Sequence, residues 1–344
     1  MRPLVLFTDE TDLDPAPGRA LLEAAGCDTL LADLGNDRVL PPGAERAVAL
    51  VVGFAQIDRD LLDRLPKVRC IATMSAGTDM VDRAECERRG IWLMNLQDAA
   101  TEEVAVHALT LMLALERHLL GNLETAARGG WTDDVQAVPR RMSELTLGLY
   151  GYGRIARRLA TLAAPLVGRI IAYDPFVAGA ATSNLSGAPG APGAPPTPQA
   201  PNFDLVDLDD LLRESDVLSL HSPLTDDTAG VINEVSLSKM PAGSILINVA
   251  RGELVNQGAL LRALDSGQLA GVGLDVLHGE PPAAHDPLRR HPRALVTPHI
   301  AFLSERSLEQ HTVDPARNIL TWLRAGELLN PVVRGTAAAP LLPA

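Results

Sequence analysis

Three stretches in the second half of the chain each place a reactive side chain just past an apolar run. Asn248-Val249-Ala250-Arg251-Gly252 offers a guanidinium. Gly273-Leu274-Asp275-Val276, followed by Glu280-Pro281-Pro282, offers carboxylates, and Thr297-Pro298-His299-Ile300-Ala301 offers an imidazole. As residue types, arginine grips anions through a planar fork, and histidine and glutamate exchange protons. Taken singly, each has an ordinary explanation: Arg251 as a solvated loop charge, Glu280 as a turn residue, His299 as a polar group approaching a helix. In an open parallel sheet, however, ligands bind outside the carboxyl ends of the strands. Three such residues in strand-ending turns could therefore converge on one bound molecule.

A fourth segment says what that molecule contains. Leu147-Gly148-Leu149-Tyr150-Gly151-Tyr152-Gly153-Arg154-Ile155-Ala156 follows an apolar strand and opens an amphipathic helix (Ile155, Leu159, Leu162). In this GxGxxA context Gly151 allows the tight turn, Gly153 admits a pyrophosphate to the backbone, and Ala156 keeps helix and strand close. The helix N-terminus then presents its N–H groups and positive dipole end to the phosphates. The next strand ends in Asp174, 21 residues beyond Gly153. An acid there accepts from the adenosine ribose hydroxyls and repels a 2′-phosphate, so NAD is favoured over NADP. Before Pro175 the same acid could simply begin a turn. The nicotinamide end of the dinucleotide is where Arg251, Glu280 and His299 could meet.

The elements that must position these residues alternate along the chain. Strand-like runs at Leu4–Thr8, Val48–Phe54, Val68–Thr73 and Ile91–Met94 are separated by helical stretches at Gly18–Ala25, Asp58–Leu65 and Asp82–Arg89. A longer helix is expected over Thr101–Leu120, from the spacing of Val104, Ala108, Leu111 and Leu115. A second series of strands follows at Leu145–Tyr150, Arg169–Tyr173, Asp216–Leu220, Ser244–Val249, Gly271–Val276 and Ala294–Thr297. Two such series imply two α/β domains with parallel sheets. Residues 178–201, rich in Gly, Ala and Pro, have little to bury and are expected to form a surface excursion.

Bulk properties narrow the class. With 344 residues, 47% of them apolar and 21% charged, the chain has the composition of a globular protein. A net charge of −13 argues against broad binding to nucleic acid or anionic membrane, though not against a local basic pocket. Apolar runs such as Val48–Ala55 fall far short of the roughly 20 residues that span a bilayer. Acids from Asp9 onward interrupt any leader-like core after Phe7. Cys27, Cys70 and Cys86 are scattered, with no CxxC pair, which reads as buried thiols in a reducing compartment and makes the cytoplasm the expected location. His107, His118, His278, His285, His291 and His311 show no metal spacing and are expected in surface or packing roles; no metal site is expected.

Together with Leu220-His221-Ser222-Pro223-Leu224-Thr225, Thr228 and Arg251-Gly252-Glu253-Leu254-Val255, these motifs resemble the D-isomer-specific 2-hydroxyacid dehydrogenase family over nearly the whole chain. The ending Ala301-Phe302-Leu303-Ser304-Glu305 is most similar to its phosphoglycerate dehydrogenase and C-terminal-binding-protein-like subgroup. The resemblance implies an α/β fold of two Rossmann-like, doubly wound parallel-sheet domains with a cleft between them. Residues 1–100 plus 302–344 would form a discontinuous substrate domain, and 101–301 the NAD-binding domain. It implies an NAD-dependent oxidoreductase that interconverts 2-oxo acids and D-2-hydroxy acids. His299 would be the general acid and base, Glu280 its partner, and Arg251 the binder of the substrate carboxylate. Ser75, Ala76 and Gly77 would offer backbone N–H groups to that carboxylate. Gly151, Tyr152, Gly153, Arg154, Ile155, Asp174, Ser222, Pro223, Thr228, Val249, Ala250, Arg251, Asp275 and His299 would contact the cofactor. The helix from Thr101 takes part in dimerisation in relatives, so a homodimer is expected.

Some positions depart from the family pattern: Met80 for an asparagine, Val106 for an acid and Asn256 for an aspartate. Pro315 falls inside the expected closing helix and predicts a kink or break. Two other readings stand beside the dehydrogenase. One is an NAD(H)-sensing, corepressor-like binding protein; the other is a formate- or phosphite-oxidising relative, disfavoured for formate because those enzymes resemble this layout but carry glutamine where Glu280 stands.

Overall fold

The computed structural model describes residues 2–9, 13–34, 38–135, 137–177 and 203–343; the Gly/Ala/Pro-rich excursion expected at 178–201 lies outside them. By backbone contacts the chain divides into two compact units, Met1–Ala99 with Leu303–Ala344, and Ala100–Phe302.

The first unit is built on β1 (Leu4–Phe7), α1 (Ala16–Ala24), β2 (Asp28–Leu31), β3 (Ala47–Val52), α2 (Arg59–Arg64), β4 (Cys70–Thr73), α3 (Arg83–Arg89) and β5 (Trp92–Met94). Its five strands are all parallel, in the order β2-β1-β3-β4-β5. Strands of a sheet buried on both faces read as continuous apolar runs, and period-2 alternation sorts their side chains. Leu4 and Leu6 pack with Leu61, Leu62 and Cys86, whereas Val5 and Phe7 pack with Leu22, Ile319 and Leu323. Short helices are started by side chains: Asp58 accepts from the Leu61 N–H and Asp82 from the Glu85 N–H, and left-handed Gly90 ends α3.

The second unit contains α4 (Thr101–Glu116), α5 (Leu119–Ala127), β6 (Thr146–Tyr150), α6 (Arg154–Ala163), β7 (Arg169–Tyr173), β8 (Phe203–Leu205), α7 (Leu208–Glu214), β9 (Val217–Leu220), α8 (Glu234–Lys239), β10 (Ser244–Asn248), α9 (Gln257–Ser266), β11 (Leu269–Leu274) and β12 (Ala294–Val296). Its seven parallel strands run β12-β11-β10-β9-β6-β7-β8. One face packs on α4 and α6 through Ala108, Leu111, Leu159 and Ala163; the other packs on α7, α8 and α9 through Leu211, Leu237 and Leu260. The strand order reverses between β6 and β9, so the loops after these two strands flank a crevice at the carboxyl edge.

Three local differences from the sequence-based expectation have physical reasons. The helix expected over Thr101–Leu120 ends at Glu116, and left-handed His118 (φ 48°) separates it from α5 at a bend of 57°. Apolar spacing continues through Leu119, Leu120 and Leu123, so periodicity alone does not register the turn. The closing helix α10 (Glu305–Ala325) runs through Pro315 without a break. Pro315, Ala316, Ile319, Leu320 and Leu323 are buried, and Gly18 lets α1 lie against the Thr312 carbonyl, so packing outweighs the one backbone bond that proline cannot make. Strands β2 and β8, four and three residues long, are additions to the expected set.

Among the described residues, no single helix is long and apolar enough to cross a membrane. The bent pair α4 and α5 passes by length and composition, but α4 buries Val104, Ala105, Ala108, Leu111 and Met112 in the protein.

Candidate active site

The glycine loop sits at the crevice where the strand order reverses. Gly151 adopts φ 88°, and a side chain there would come within 3.0 Å of the His221 and Ser222 main chain. Only glycine combines that backbone with that approach. Gly153 is different: an added Cβ would meet nothing within 4 Å, so the missing side chain leaves room for something other than protein. No side chain caps α6 at Gly153. An unfilled space over a helix N-terminus fits the pyrophosphate of a dinucleotide.

Asp174 follows β7 at the loop's flank. Its Oδ2 accepts from the Tyr152 N–H at 2.8 Å and its Oδ1 from the Phe176 N–H at 2.9 Å, so the carboxylate is held beside the loop. The Tyr152 side chain turns away into the core, with its ring stacked 4.1 Å from that of Phe203; only its main chain belongs to the loop. Arg154 and Ile155 form the first turn of α6. Beyond β9, the Thr228 hydroxyl donates to the Pro223 carbonyl and accepts from the Thr225 N–H, both at 2.8 Å, which fixes the Ser222-Pro223 turn. Burial pushes the His221 imidazole down to about 3, so it is neutral beneath that turn.

Arg251 leaves β10 on a loop braced by Asn248, whose side chain donates to the Arg251 carbonyl (2.8 Å) and accepts from the Ala250 N–H (3.0 Å). This fixes Val249 and Ala250 as well. A Cβ on Gly252 would fall 2.1 Å from the Leu277 carbonyl carbon, so the loop is pressed onto the segment carrying Glu280. There the Leu277 N–H donates to Glu280 Oε1 at 2.8 Å. The other carboxylate oxygen meets His299 Nδ1 at 2.5 Å. Burial raises the Glu280 carboxyl, but the His299 hydrogen bond, the Leu277 N–H and the positive charges of His299 and Arg251 outweigh it and hold it below the usual range. Glu280 is therefore the ionised partner, and Nδ1 faces it. The ring's Nε2 is the nitrogen left for chemistry.

His299 has φ 55°, a left-handed conformation that costs a non-glycine residue about 1–3 kcal/mol. Asp275 holds this turn. Buried at 2% exposure, its Oδ1 accepts from the Thr297 hydroxyl (2.6 Å) and the Ile300 N–H (2.9 Å), and its Oδ2 from the Ala301 N–H (2.8 Å). Its carboxylate thus supports the histidine loop from behind. His107 of α4, expected in a surface or packing role, joins the same cluster, with Nε2 2.9 Å from the Thr297 hydroxyl. Its one sequence signal is position: a polar residue three after Val104, on a stripe that is otherwise apolar.

In the first unit, Ser75, Ala76 and Gly77 follow β4. Their carbonyls accept from Thr73 Oγ1 (2.8 Å), Asn95 Nδ2 (2.6 Å) and Ser75 Oγ (2.9 Å) respectively. With the carbonyls tied back, none of the three N–H groups has a hydrogen-bond acceptor among the described residues. Where successive amides of this kind converge, they can accept an anion. The described residues contain no cluster of three or more side chains able to hold a metal ion.

Residues 109–301 match the family model described as D-isomer specific 2-hydroxyacid dehydrogenase, NAD binding domain. The chain is 35% identical over 274 residues to glycerate dehydrogenase of Methylorubrum extorquens, covering 78% of this chain and 79% of that protein. It is 30% identical to D-3-phosphoglycerate dehydrogenase of Mycobacterium tuberculosis, covering 87% of this chain but spanning only 53% of that relative's length. The crystal structure of D-lactate dehydrogenase from Aquifex aeolicus, complexed with NAD and lactic acid, superposes with a TM-score of 0.80 at 27% identity, covering 93% of this chain and 95% of that one.

Proposed function

This chain belongs to the D-isomer specific 2-hydroxyacid dehydrogenase family, and from that premise we propose that it interconverts a small 2-oxo acid and its D-2-hydroxy acid with NAD as cofactor. The observation that carries the proposal is the Glu280–His299 pair, 2.5 Å apart, on a turn that Asp275 holds in a costly backbone conformation. NADH, when bound, supplies the hydride. The glycine loop and the α6 N-terminus hold its pyrophosphate, and Asp174 its adenosine ribose. Ser222, Pro223, Thr228, Val249 and Ala250 line it further along.

Arg251 binds the substrate carboxylate, with its guanidinium drawing electron density from the adjoining carbonyl. Carboxylate binding is likewise the role proposed for the amides of Ser75, Ala76 and Gly77. His299 donates the proton from Nε2 to the oxo oxygen, so that C=O becomes CH–OH, and takes it back in the reverse direction. Glu280 stays ionised at Nδ1 and stabilises the charged imidazole before transfer.

The test is NADH oxidation against small and bulky 2-oxo acids, with His299→Ala as the control. Turnover that disappears in the control while NADH still binds supports the assignment. Wild-type turnover in His299→Ala would remove the proton donor, and silence of the wild type across the panel would remove the reaction. We further propose a homodimer, because α5 buries none of its own residues and exposes Leu119, Leu120 and Leu123. Sedimentation as a monomer would exclude it. Three free, buried thiols support a reducing compartment, the cytoplasm.

A further inference from the structure

We infer that His107, on α4, is a positioning residue that holds the His299 turn in place through Thr297 and Asp275; the inference rests on the dehydrogenase reading above. The proton count fixes the direction of the chain of bonds. The Thr297 hydroxyl has one proton and gives it to Asp275 Oδ1 at 2.6 Å. Its oxygen must therefore accept at the 2.9 Å contact with His107 Nε2, and Nε2 carries the proton. Asp275 in turn accepts from the Ile300 and Ala301 N–H groups, and its main-chain carbonyl accepts from the His299 N–H at 2.9 Å. The Thr297 hydroxyl and the N–H groups of His299, Ile300 and Ala301 thus all end on Asp275, while the Thr297 N–H donates to the Leu274 carbonyl at 2.9 Å.

His107 reaches the cluster from a helix, whereas Asp275 and Thr297 come from the ends of strands β11 and β12. Its ring nitrogen also lies 3.6 Å from Asp275 Oδ1, and the ring is largely covered. Helix α4 packs firmly against β10 and β11, so the donor it presents is a fixed one. A turn whose central residue holds a disfavoured conformation needs outside restraint to stay there. His107 supplies that restraint from the helix, while Glu280 sets the ring of His299 from the solvent side. Neither His107 nor Thr297 touches the reacting atoms in this account. Their effect is on where the His299 imidazole sits.

The experiment compares His107→Leu, which keeps bulk and removes the donor, with His107→Gln, whose side-chain N–H can reach the same hydroxyl. His107→Leu is expected to lower kcat about tenfold or more, as displacements of under 1 Å do, with KM for the oxo acid and the NADH Kd changing no more than about twofold. His107→Gln is expected to recover kcat to within about threefold of wild type. Wild-type kcat in His107→Leu overturns the inference. So do equal losses in both variants that simply follow their melting temperatures. The imidazole Hε1 resonance of His299 gives a second readout that needs no turnover: it should shift or broaden in the leucine variant and return in the glutamine variant. If the wild type reduces no 2-oxo acid, the dehydrogenase reading fails by itself, and this resonance still decides the positioning role. An unchanged resonance in His107→Leu overturns it.

Discussion

Replacing Gly153 by alanine should weaken NADH binding and leave the fold intact, whereas the same change at Gly151 should damage both. At Gly153 the backbone has φ −74° and ψ −165°, which alanine adopts without strain, and the new Cβ meets no atom within 4 Å. Alanine is a poorer N-cap than glycine by a few tenths of a kcal/mol to about 1 kcal/mol. The stiffer unfolded chain returns about 0.4–1 kcal/mol, so the net change in stability is close to zero. With the pyrophosphate placed over this helix N-terminus as proposed, the methyl group intrudes on it. Losing one hydrogen bond to a charged oxygen there costs about 1.5–3 kcal/mol, or roughly 10- to 150-fold in Kd. At Gly151 the φ of 88° costs alanine about 1–2 kcal/mol. Its Cβ also sits 3.0 Å from backbone of His221 and Ser222, which has little freedom to yield. A melting temperature lower by about 4 °C or more is expected for that variant. The assay pairs thermal melting with titration of NADH fluorescence. Gly153→Ala that binds NADH like the wild type would refute the reasoning, because the space over Gly153 would then not be the phosphate's path.

Glu280→Gln should lower kcat by about 100-fold at pH 7, the usual scale for a proton-transfer partner. Because the Glu280 carboxyl lies below its ordinary value of about 4.3, its pairing with His299 is complete above that pH and is lost as pH falls through the lower, folded value. Wild-type kcat should therefore show no Glu280-linked loss between pH 5 and 7 in a pH–rate series, and a variant as fast as wild type would exclude Glu280 from the mechanism. Asp174→Ser should shift the NADH to NADPH preference by roughly tenfold toward the phosphorylated cofactor. An unaltered ratio of the two kcat/KM values would take Asp174 out of the ribose site. The thiols of Cys27, Cys70 and Cys86 should resist an aromatic disulfide reagent in the native protein and all react once it is unfolded. Burial raises each of them, Cys86 to about 12, so rapid native labelling of any one would contradict its placement.

The fold class was legible because both sheets are parallel and covered on two faces, which writes strands such as Ala47–Val52 as continuous apolar runs. Strands at the sheet edges were not. The side chains of β2 are only partly covered, and β8 has three residues immediately after a segment without any pattern. The break at His118 and the continuity at Pro315 went unread for opposite reasons. In the first, a left-handed residue interrupts an apolar rhythm that carries on regardless; in the second, packing carries a helix past a residue that locally opposes it. At the candidate site, residue types and strand-end positions named Arg251, Glu280 and His299, but spacing cannot say which side chains touch. The resemblance implies Asp275 as a cofactor contact; spacing does not show that its carboxylate also braces the turn that carries His299. It passed over His107, because a lone histidine in an apolar helical stripe looks the same whether or not a hydroxyl awaits it.

The discontinuity of the first unit imposes an order on biosynthesis. One face of its sheet, with Val5, Phe7, Ala49 and Trp92, is covered by Ala316, Ile319, Trp322 and Leu323 of α10. Those residues leave the ribosome some 200 positions after β5, when the second unit has already been made in full. A nascent chain therefore carries a half-clothed parallel sheet through most of its translation. At about 5–20 residues per second that interval lasts on the order of 10–40 s. The domain that begins first is the last to close, and a chain truncated before Ala316 would keep that face covered only in part, by Leu22 of α1, and open to chaperones or to its neighbours.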